Sequence, residues 1–455
     1  MSNQSYRAGI PDVPESSRHT IDCGKDCKPL IVEHRINDWL PRDHLIIERH
    51  IAYVLEKIRS ENYSAHELIP SVAKFKEAVE NNAILRMGFT EMLDQVPTKP
   101  PYDLDPNKKP QIRDYDTLFT AFNYIISHAF PYHRGQVISV PINAILDWPM
   151  GTEAGLSTFL LPEVNQHFKA MFDDWAKFLQ SPASLTYLTS EENGWFGPAA
   201  LEKMPSFVEL YDCDSSAPHY GFKSWDAFFT RQFREGIRPV KFPDPEYKDV
   251  ITSACESSVY NTAFDVKERD NFWIKGQPYS LRDMLNNDPF TSQFVGGTIY
   301  QAFLSVWKYH RWVSPVSGTI VRVEKIQGAY YAESPTAGFR RPGGPDPNAP
   351  NDSQMYVTTT ATRSIIWIEC DNPEIGLMGF MAVGMVEIST CDVDPAIVPG
   401  YKVSKGKELG TFRFGGSTYC MFFRKGVDVH FLHKNGTEVE LNSSIATVGK
   451  GGSRA

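Results

Sequence analysis

The hydrophobic pattern of the chain changes character about half-way along its length. In the first half, apolar residues recur at helical spacing, as in Leu45–Arg59 and again after Pro70, which suits a helix start. From about Ile251 the chain is rich in Val, Ile, Thr and Tyr, in short runs broken by Gly, Pro and Asn, as in Thr319–Val323 and Ser364–Glu369. This order predicts an α+β fold, with an all-α part followed by a β-rich part.

A chain of 455 residues is too long for one ordinary core, so more than one domain is expected. The pattern predicts a polar tail at 1–30, a helical domain at 31–195 and a β-rich domain at 196–455. Within the last, Ser334–Gln354 holds five prolines and three glycines, which predicts an irregular loop. We expect either a lid over a substrate site or a surface loop.

Composition narrows the class of partner. The net charge is −9 and no basic tract of five or more residues occurs, which argues against nucleic acid. The N-terminus has no apolar signal region, and no apolar run approaches the ~18 residues of a membrane span. The seven cysteines are odd in number and scattered, and Cys23 and Cys27 have no partner pair at zinc-site spacing. These features predict a cytoplasmic protein without a metal or a stable membrane anchor.

The segment that ends in Gly415-Gly416-Ser417-Thr418 can carry chemistry. A serine hydroxyl can attack the carbonyl of the preceding residue and turn the amide into an ester, and a preceding glycine offers little bulk and free backbone angles. β-Elimination and hydrolysis then leave an N-terminal pyruvoyl group on the fragment 417–455. Such a tetrapeptide on its own is usually a turn, so the surrounding sequence must show whether it is functional.

Five ordered blocks surround this segment, and they resemble the phosphatidylserine decarboxylase family, most of all its soluble fungal branch that decarboxylates tryptophan. The blocks are Phe222–Arg231 with Arg238-Pro239, Lys275–Leu281, Tyr309–Trp312 with Ser314-Pro315 and Gly318, Val383–Met385, and Lys405–Ser417. The helical first half is similar to the same branch, so the resemblance covers most of the chain.

The resemblance implies roles for particular residues. Ser417 would become the pyruvoyl cofactor after cleavage from Gly416, and this group, rather than pyridoxal phosphate, would accept electrons when CO2 leaves. His310 matches the family histidine that protonates the α-carbon, and its chemistry suits that transfer. Members of the family carry a second histidine three positions later, where this chain has Val313, and an aspartate where it has Ser253–Glu256. His310 and Glu256 are therefore the candidates for self-cleavage, with His430 and His433 as alternatives.

The predicted function is a pyruvoyl-dependent decarboxylase of a free amino acid, tryptophan or another aromatic one, with phosphatidylserine as the alternative substrate. An uncleaved, inactive scaffold is a third hypothesis, because Val313 cannot accept a proton. Two segments, Ser314–Val321 and Val403–Gly410, also resemble halves of biotinyl and lipoyl carrier domains, but no lysine tip lies between them. The sequence leaves open whether the helical half shapes the substrate pocket or mediates homo-oligomer formation.

Overall fold

The computed structural model describes residues 44–63, 67–99, 102–103, 112–132, 140–270, 279–305, 307–338, 344–346, 349–387, 390–414 and 417–449. The predicted polar tail, the Cys23–Cys27 pair and Gly416 lie outside the described residues. The five cysteines that are described form no disulfide.

Helices occupy the first half of the described chain. They are α1 Leu45–Ser60, α2 Pro70–Asn81, α3 Ala83–Asp94, α4 Tyr115–Ile125, α5 Pro141–Met150, α6 Glu153–Phe159, α7 Pro162–Leu179, α8 Pro198–Lys203, α9 Phe207–Leu210 and α10 Trp225–Phe229. The predicted helix at Leu45–Arg59 is confirmed as α1, which buries Ile47, Ile51 and Val54 along one face. The start predicted at Pro70 is also confirmed, because proline takes the first helical position, where no N–H partner is needed.

Strands occupy the second half. They are β1 Val250–Thr252, β2 Ser257–Phe264, β3 Thr298–Leu304, β4 Arg311–Val313, β5 Gly318–Ile326, β6 Arg363–Cys370, β7 Leu377–Gly384, β8 Thr390–Val393, β9 Lys402–Val403, β10 Glu408–Arg413, β11 Ser417–Phe423, β12 Val429–Phe431, β13 Glu438–Val439 and β14 Ser444–Val448. Five short helices lie among them, α11 Leu281–Met284, α12 Thr291–Phe294, α13 Pro335–Gly338, α14 Ala349–Asp352 and α15 Gln354–Thr360. The predicted strands at 319–323 and 364–369 are confirmed as parts of β5 and β6.

The strands form three antiparallel sheets. The largest has eight strands in the order β13-β2-β3-β11-β7-β6-β5-β9, and the two others have the orders β4-β10-β8 and β1-β14-β12. Strand β11 lies inside the large sheet, with β3 on one side and β7 on the other. Every residue of β11 is buried, because both faces of the sheet are covered.

One continuous core joins the helical half to the sheets. Between the large sheet and β4-β10-β8, the Trp312 ring stacks on Phe380 with the ring centres 5.3 Å apart, and Phe380 stacks on Tyr419 at 5.7 Å. From the helical side, Phe168 of α7 packs against Tyr331 with the ring centres 4.8 Å apart. The prediction of an α+β fold is therefore confirmed.

Three connections, which we call crossings, join the large sheet to the sheet β4-β10-β8. The first crossing is 305–310 from β3 to β4, the second is 385–389 from β7 to β8, and the central crossing is 414–416 from β10 to β11. The neighbours of β11 are β3 and β7, and the neighbours of β10 are β4 and β8. The central crossing is therefore flanked by the other two at both of its ends.

The predicted irregular loop at Ser334–Gln354 is wrong for the described part of that segment. It contains α13 and α14, and α15 begins at its last residue. Pro335 stands at the first position of α13, where a helix tolerates proline, so the proline content marked a helix start rather than a loop. No helix in the described ranges has the length and apolar character needed to cross a bilayer.

Candidate active site

Ser417 is the first residue of β11 and lies between two neighbouring strands. It pairs with Leu304 of β3 on one side and with Gly384 of β7 on the other. Its side chain is fully buried, and its hydroxyl oxygen makes no hydrogen bond within the described residues. A buried hydroxyl is normally satisfied, so an unsatisfied one in a strand calls for a functional reason. The position fits a serine that is consumed to make a cofactor.

His310 is the last residue of the first crossing and is fully buried. Its ring lies nearly parallel to that of Phe229 in α10, with the ring centres 4.1 Å apart. Its carbonyl oxygen accepts a hydrogen bond from the backbone N–H of Phe412 at 2.9 Å. Because ring and backbone are both held, the imidazole has a fixed orientation at the end of the sheet where β11 begins.

Two arginines of the sequence blocks hold the chain on either side of His310. The guanidinium of Arg231 donates to the carbonyl oxygens of Trp307 at 2.6 Å and Lys308 at 3.1 Å, two to three residues before the histidine. Arg311, directly after it, donates through Nε to the carbonyl oxygen of Thr230 at 2.8 Å. Blocks that are about eighty residues apart in sequence therefore meet around this histidine.

The last block joins the same cluster through ion pairs. Arg311 Nη1 lies 2.7 Å from Glu408 Oε1, and Arg413 pairs with Asp226 of α10. A Cβ at Gly410 would lie 2.2 Å from the carbonyl oxygen of Asp392, so only glycine lets β10 pass there. The charges and the glycine of these blocks thus build the scaffold around Ser417 and His310.

Glu256 is held by partners of its own. Its Oε1 accepts from Arg238 Nε at 2.6 Å and from the backbone N–H of Leu441 at 3.0 Å. Within the described residues, no hydrogen bond joins Glu256 to Ser417 or to His310. Its predicted part in self-cleavage stays a prediction.

The two departures from the family pattern lie side by side. The backbone N–H of Val313 donates to the carbonyl oxygen of Ala254 at 2.9 Å. The position of the second family histidine therefore lies beside Ser253–Glu256, where the family aspartate is expected. At these two places this chain has an apolar valine and a segment in which Cys255 is fully buried.

The alternative bases lie elsewhere. His430 is half exposed on β12 and lies 3.2 Å from Asp428, and His433 makes a hydrogen bond through Nε2 with the carbonyl oxygen of Ser444 at 3.0 Å. Neither residue contacts Ser417 or His310 within the described part of the chain.

A cavity rich in aromatic side chains adjoins the site. It encloses about 780 Å³, including solvent at its mouth. Phe229, which stacks on His310, and Phe414, three residues before Ser417, both line it. Its aromatic lining consists of Phe130, Trp175, Tyr187, Trp195, Trp225, Phe228, Phe229, Trp307 and Phe414. Of these, Phe130, Trp175, Tyr187 and Trp195 come from the predicted helical domain at 31–195, which shows that this part of the chain shapes the pocket.

Two indole N–H groups in this cavity differ in one respect. Trp195 donates to the carbonyl oxygen of Phe130 at 3.0 Å. The N–H of Trp175 is buried and has no acceptor within the described residues. The sequence pattern did not predict this unsatisfied donor, because Trp175 recurs in α7 at the spacing of an ordinary core residue.

The backbone beside Ser417 is strained on two sides. Phe414, in the central crossing, has a φ of 75°, and Val386, in the second crossing, has a φ of 48°. Left-handed backbone is an outlier for a bulky or β-branched residue, and such strain collects at functional sites. Two strained residues thus lie within three positions of Ser417 and of its partner Gly384, at the same end of the sheet.

Comparison with known proteins agrees with this geometry. Two models of phosphatidylserine decarboxylases match residues 69–204 and 225–447. The chain belongs to the phosphatidylserine decarboxylase family and is a carboxy-lyase. Members of this family use a pyruvoyl group in general.

Individual relatives extend over nearly the whole chain. An L-tryptophan decarboxylase of Psilocybe cubensis is 35% identical over 429 residues, which cover 90% of this chain and 94% of the relative. The decarboxylase iboD of Amanita muscaria is 45% identical over 327 residues, covering 68% of this chain and 92% of the relative. The phosphatidylserine decarboxylase proenzyme 3 of Schizosaccharomyces pombe is 30% identical, over 53% of this chain and 24% of its own length. The predicted resemblance to the family and its fungal tryptophan branch is confirmed.

Proposed function

We propose that the protein decarboxylates a free aromatic amino acid, with L-tryptophan as the first candidate, and that its pyruvoyl group forms by self-cleavage between Gly416 and Ser417. The observation that carries this proposal is the aromatic cavity that adjoins His310 and the start of β11. A relative named L-tryptophan decarboxylase that spans almost the whole chain supports it.

The residues around Ser417 suit the formation of the cofactor in place. Ser417 is buried, its hydroxyl has no competing hydrogen bond in the described part of the chain, and Phe414 strains the backbone just before it. The pyruvoyl group supplies an electron-accepting carbonyl that stabilises the negative charge left when CO2 departs. Residue 417 would hold this group at the beginning of an internal strand, which pairs there with Leu304 and Gly384.

The protein's own side chains do the rest of the work. The aromatic walls bind a flat side chain and exclude water, and the free N–H of Trp175 is a donor for the carboxylate of the amino acid. His310, oriented by Phe229, delivers the proton that replaces CO2 on the α-carbon. For self-cleavage, His310 and Glu256 are the candidates that the sequence offers.

The division into a helical domain at 31–195 and a β-rich domain at 196–455 belongs to the same proposal. It is supported by the two family matches, because the first ends at residue 204 and the second begins at residue 225. A cytoplasmic location is supported by the unpaired cysteines of the described chain.

The experiment has two measurements on the full-length protein. Intact-mass analysis is expected to show a chain of residues 1–416 and a pyruvoyl-capped chain that begins at position 417. Incubation with free amino acids is expected to release CO2 and the matching amine, fastest with an aromatic amino acid. Turnover on phosphatidylserine vesicles alone would refute the substrate proposal, and an uncleaved, inactive chain would refute the proposal as a whole.

A further inference from the structure

Glu387 is a buried carboxyl group in the second crossing, three residues after Gly384. It is fully buried, and its Oε1 accepts hydrogen bonds from the backbone N–H groups of Ile142 at 2.6 Å and Asn143 at 2.8 Å. These donors belong to the first turn of α5, so the contact joins the helical half to the sheet. The second oxygen, Oε2, makes no hydrogen bond within the described residues.

Two residues that interact with Glu387 also carry unsatisfied polar groups. Both polar atoms of the Asn143 side chain are buried without a hydrogen-bond partner in the described chain, and so is the hydroxyl of Tyr331. Tyr331 is close enough to Glu387 for the two to interact electrostatically. Buried polar atoms without partners are rare and costly, so several of them together indicate a place where water or a reacting group is handled.

Strand pairing places the end of β7, from which Glu387 follows, beside Ser417. The pair Ser417–Gly384 lies at one end of the central and second crossings, and the pair Arg413–Thr390 lies at the other. Paired strands lie about 4.8 Å apart, and Glu387 follows only three residues after Gly384, the partner of Ser417. His310 lies on the opposite flank, in the first crossing.

The cavity lining places the surroundings of Glu387 on the same side of the sheet. Pro141, the first residue of α5, lines the aromatic cavity together with Phe414 of the central crossing. The helix turn that Glu387 caps and the residue three positions before Ser417 therefore face the same cavity. Val386, whose strained backbone directly precedes Glu387, fixes the direction of its side chain.

We propose that Glu387 accepts the proton of the Ser417 hydroxyl during self-cleavage, in place of the missing histidine–aspartate pair. This inference rests on the proposed function. The Ser417 oxygen forms a bond to the carbonyl carbon of Gly416 while the C–N bond between the two residues breaks. The proton passes from the hydroxyl to Glu387 and then to the released amino nitrogen, so the step yields an ester and an amine with no net gain or loss.

The electrostatics of Glu387 agree with this role. Burial raises the pKa of Glu387 to about 8, although the backbone N–H groups of Asn143 and Ile142 lower it. Both protonation forms are therefore accessible near neutral pH, as an efficient proton acceptor requires. Tyr331 is the titratable group that interacts electrostatically with Glu387 in the described part of the chain. Burial raises the pKa of the Tyr331 hydroxyl well above its usual range, so Tyr331 stays neutral.

Another buried glutamate supplies a matched control. Glu333 is also buried, neither of its oxygens has a hydrogen-bond partner in the described chain, and burial raises its pKa well above the usual range. It lies near Gly151, just past the C-terminal end of α5, whereas Glu387 caps the N-terminal end. The ten residues of α5 separate the two by about 15 Å. Glu333 therefore shares the burial of Glu387 but not its place beside Ser417.

The test follows cleavage of the newly made full-length chain by denaturing gel and intact mass, in wild type and in Glu387→Gln, Glu387→Asp, Glu333→Gln and Glu256→Gln. Glutamine keeps the acceptor for α5 but cannot take a proton. We expect Glu387→Gln to slow cleavage by at least 100-fold, the usual loss for a missing general base. Glu333→Gln is expected to cleave at the wild-type rate, and Glu387→Asp to recover part of it.

Two further readouts separate proton transfer from a structural role. The wild-type rate is expected to rise with pH through the ionisation of Glu387, and the residual rate of Glu387→Gln is expected to lose that step. Neutral hydroxylamine, which cuts the ester, should release no fragment from Glu387→Gln, because the block precedes the ester. If Glu387→Gln does not fold, Glu387→Asp decides: a rate that rises through one ionisation supports the inference, and a flat profile overturns it.

The outcomes also separate this inference from the proposed function. A cleaved wild type with an equally fast Glu387→Gln, or a block in Glu256→Gln instead, overturns the role of Glu387 and leaves the proposed function intact. A wild type that is never cleaved overturns both.

Discussion

Removing the charge of Glu387 should change how the stability of the protein depends on pH. In the unfolded chain a glutamate ionises near pH 4.5, whereas burial raises the pKa of the folded Glu387 to about 8. Between these values the unfolded state has lost the proton and the folded state keeps it, so the free energy of unfolding falls as pH rises. The stabilising proton is fully retained below about pH 4.5, and the loss is complete above about pH 8.

The size of the effect follows from the shift. Each pKa unit corresponds to about 1.4 kcal/mol, so between pH 5 and pH 8 the folded state loses about 3 to 4 kcal/mol through this one group. With an unfolding entropy of about 2 cal/mol/K per residue over 455 residues, that corresponds to about 3 to 4 °C in Tm. Glutamine at this position has no such dependence.

The assay compares Ser417→Ala with Ser417→Ala/Glu387→Gln, so that neither chain can cleave and both remain single polypeptides. Thermal unfolding is recorded at pH 5 and at pH 8. Contributions from Glu333 and other buried groups are common to both proteins and cancel in the difference. The double variant is expected to gain about 3 to 4 °C on the single variant as pH rises. A Tm difference that is the same at both pH values would show that Glu387 is already ionised in the fold, and would refute the reasoning.

Three further changes test the site. Trp175→Phe removes the free indole N–H and should raise KM for the amino acid about 10-fold or more, the usual loss of a hydrogen bond to a charged group. Trp195→Phe, in which the lost N–H had already bonded Phe130, should leave KM nearly unchanged. Equal effects of the two variants in steady-state kinetics would contradict the role of Trp175 as a donor to the substrate. Ser417→Ala should abolish the fragment that begins at position 417, and a short chain of that size on a denaturing gel would place the cut elsewhere. His310→Asn, in protein that has matured, should lower kcat by about 10²- to 10⁴-fold, the usual contribution of a positioned acid, and an unchanged single-turnover rate would assign the proton to another group.

Local patterns were sufficient to predict much of the fold. The helical spacing of Ile47, Ile51 and Val54 specified α1. The run Ser364–Glu369 specified β6, because a covered strand leaves a short run rich in apolar and β-branched residues. The same logic failed at Pro335, where proline begins a short helix. A proline at the first helical position looks like a loop signal when the following turn is too short to show periodicity.

The sequence predicted only those residues of the candidate site that stand in recognisable motifs. Ser417 and His310 stand in blocks that a family shares, so the sequence identifies them directly. Glu387 has no such signal, because its contact with Ile142 joins residues 245 positions apart. Which crossing lies beside which depends on the order of strands in two sheets, and no local spacing of residues encodes that order.

The central place of β11 also determines what cleavage does to the molecule as a whole. After a cut before Ser417, the fragment 417–455 would still supply strands to two sheets. In the large sheet it would supply the inner strand β11 and the edge strand β13. In the sheet β1-β14-β12 it would supply β12 and β14. Hydrogen bonds on both edges of β11 would keep it bound without a peptide link. The order of events is then fixed: the uncut chain must fold first. A mature protein that is denatured would have to reassemble two separate polypeptides, so its native state would be easy to keep and hard to regain.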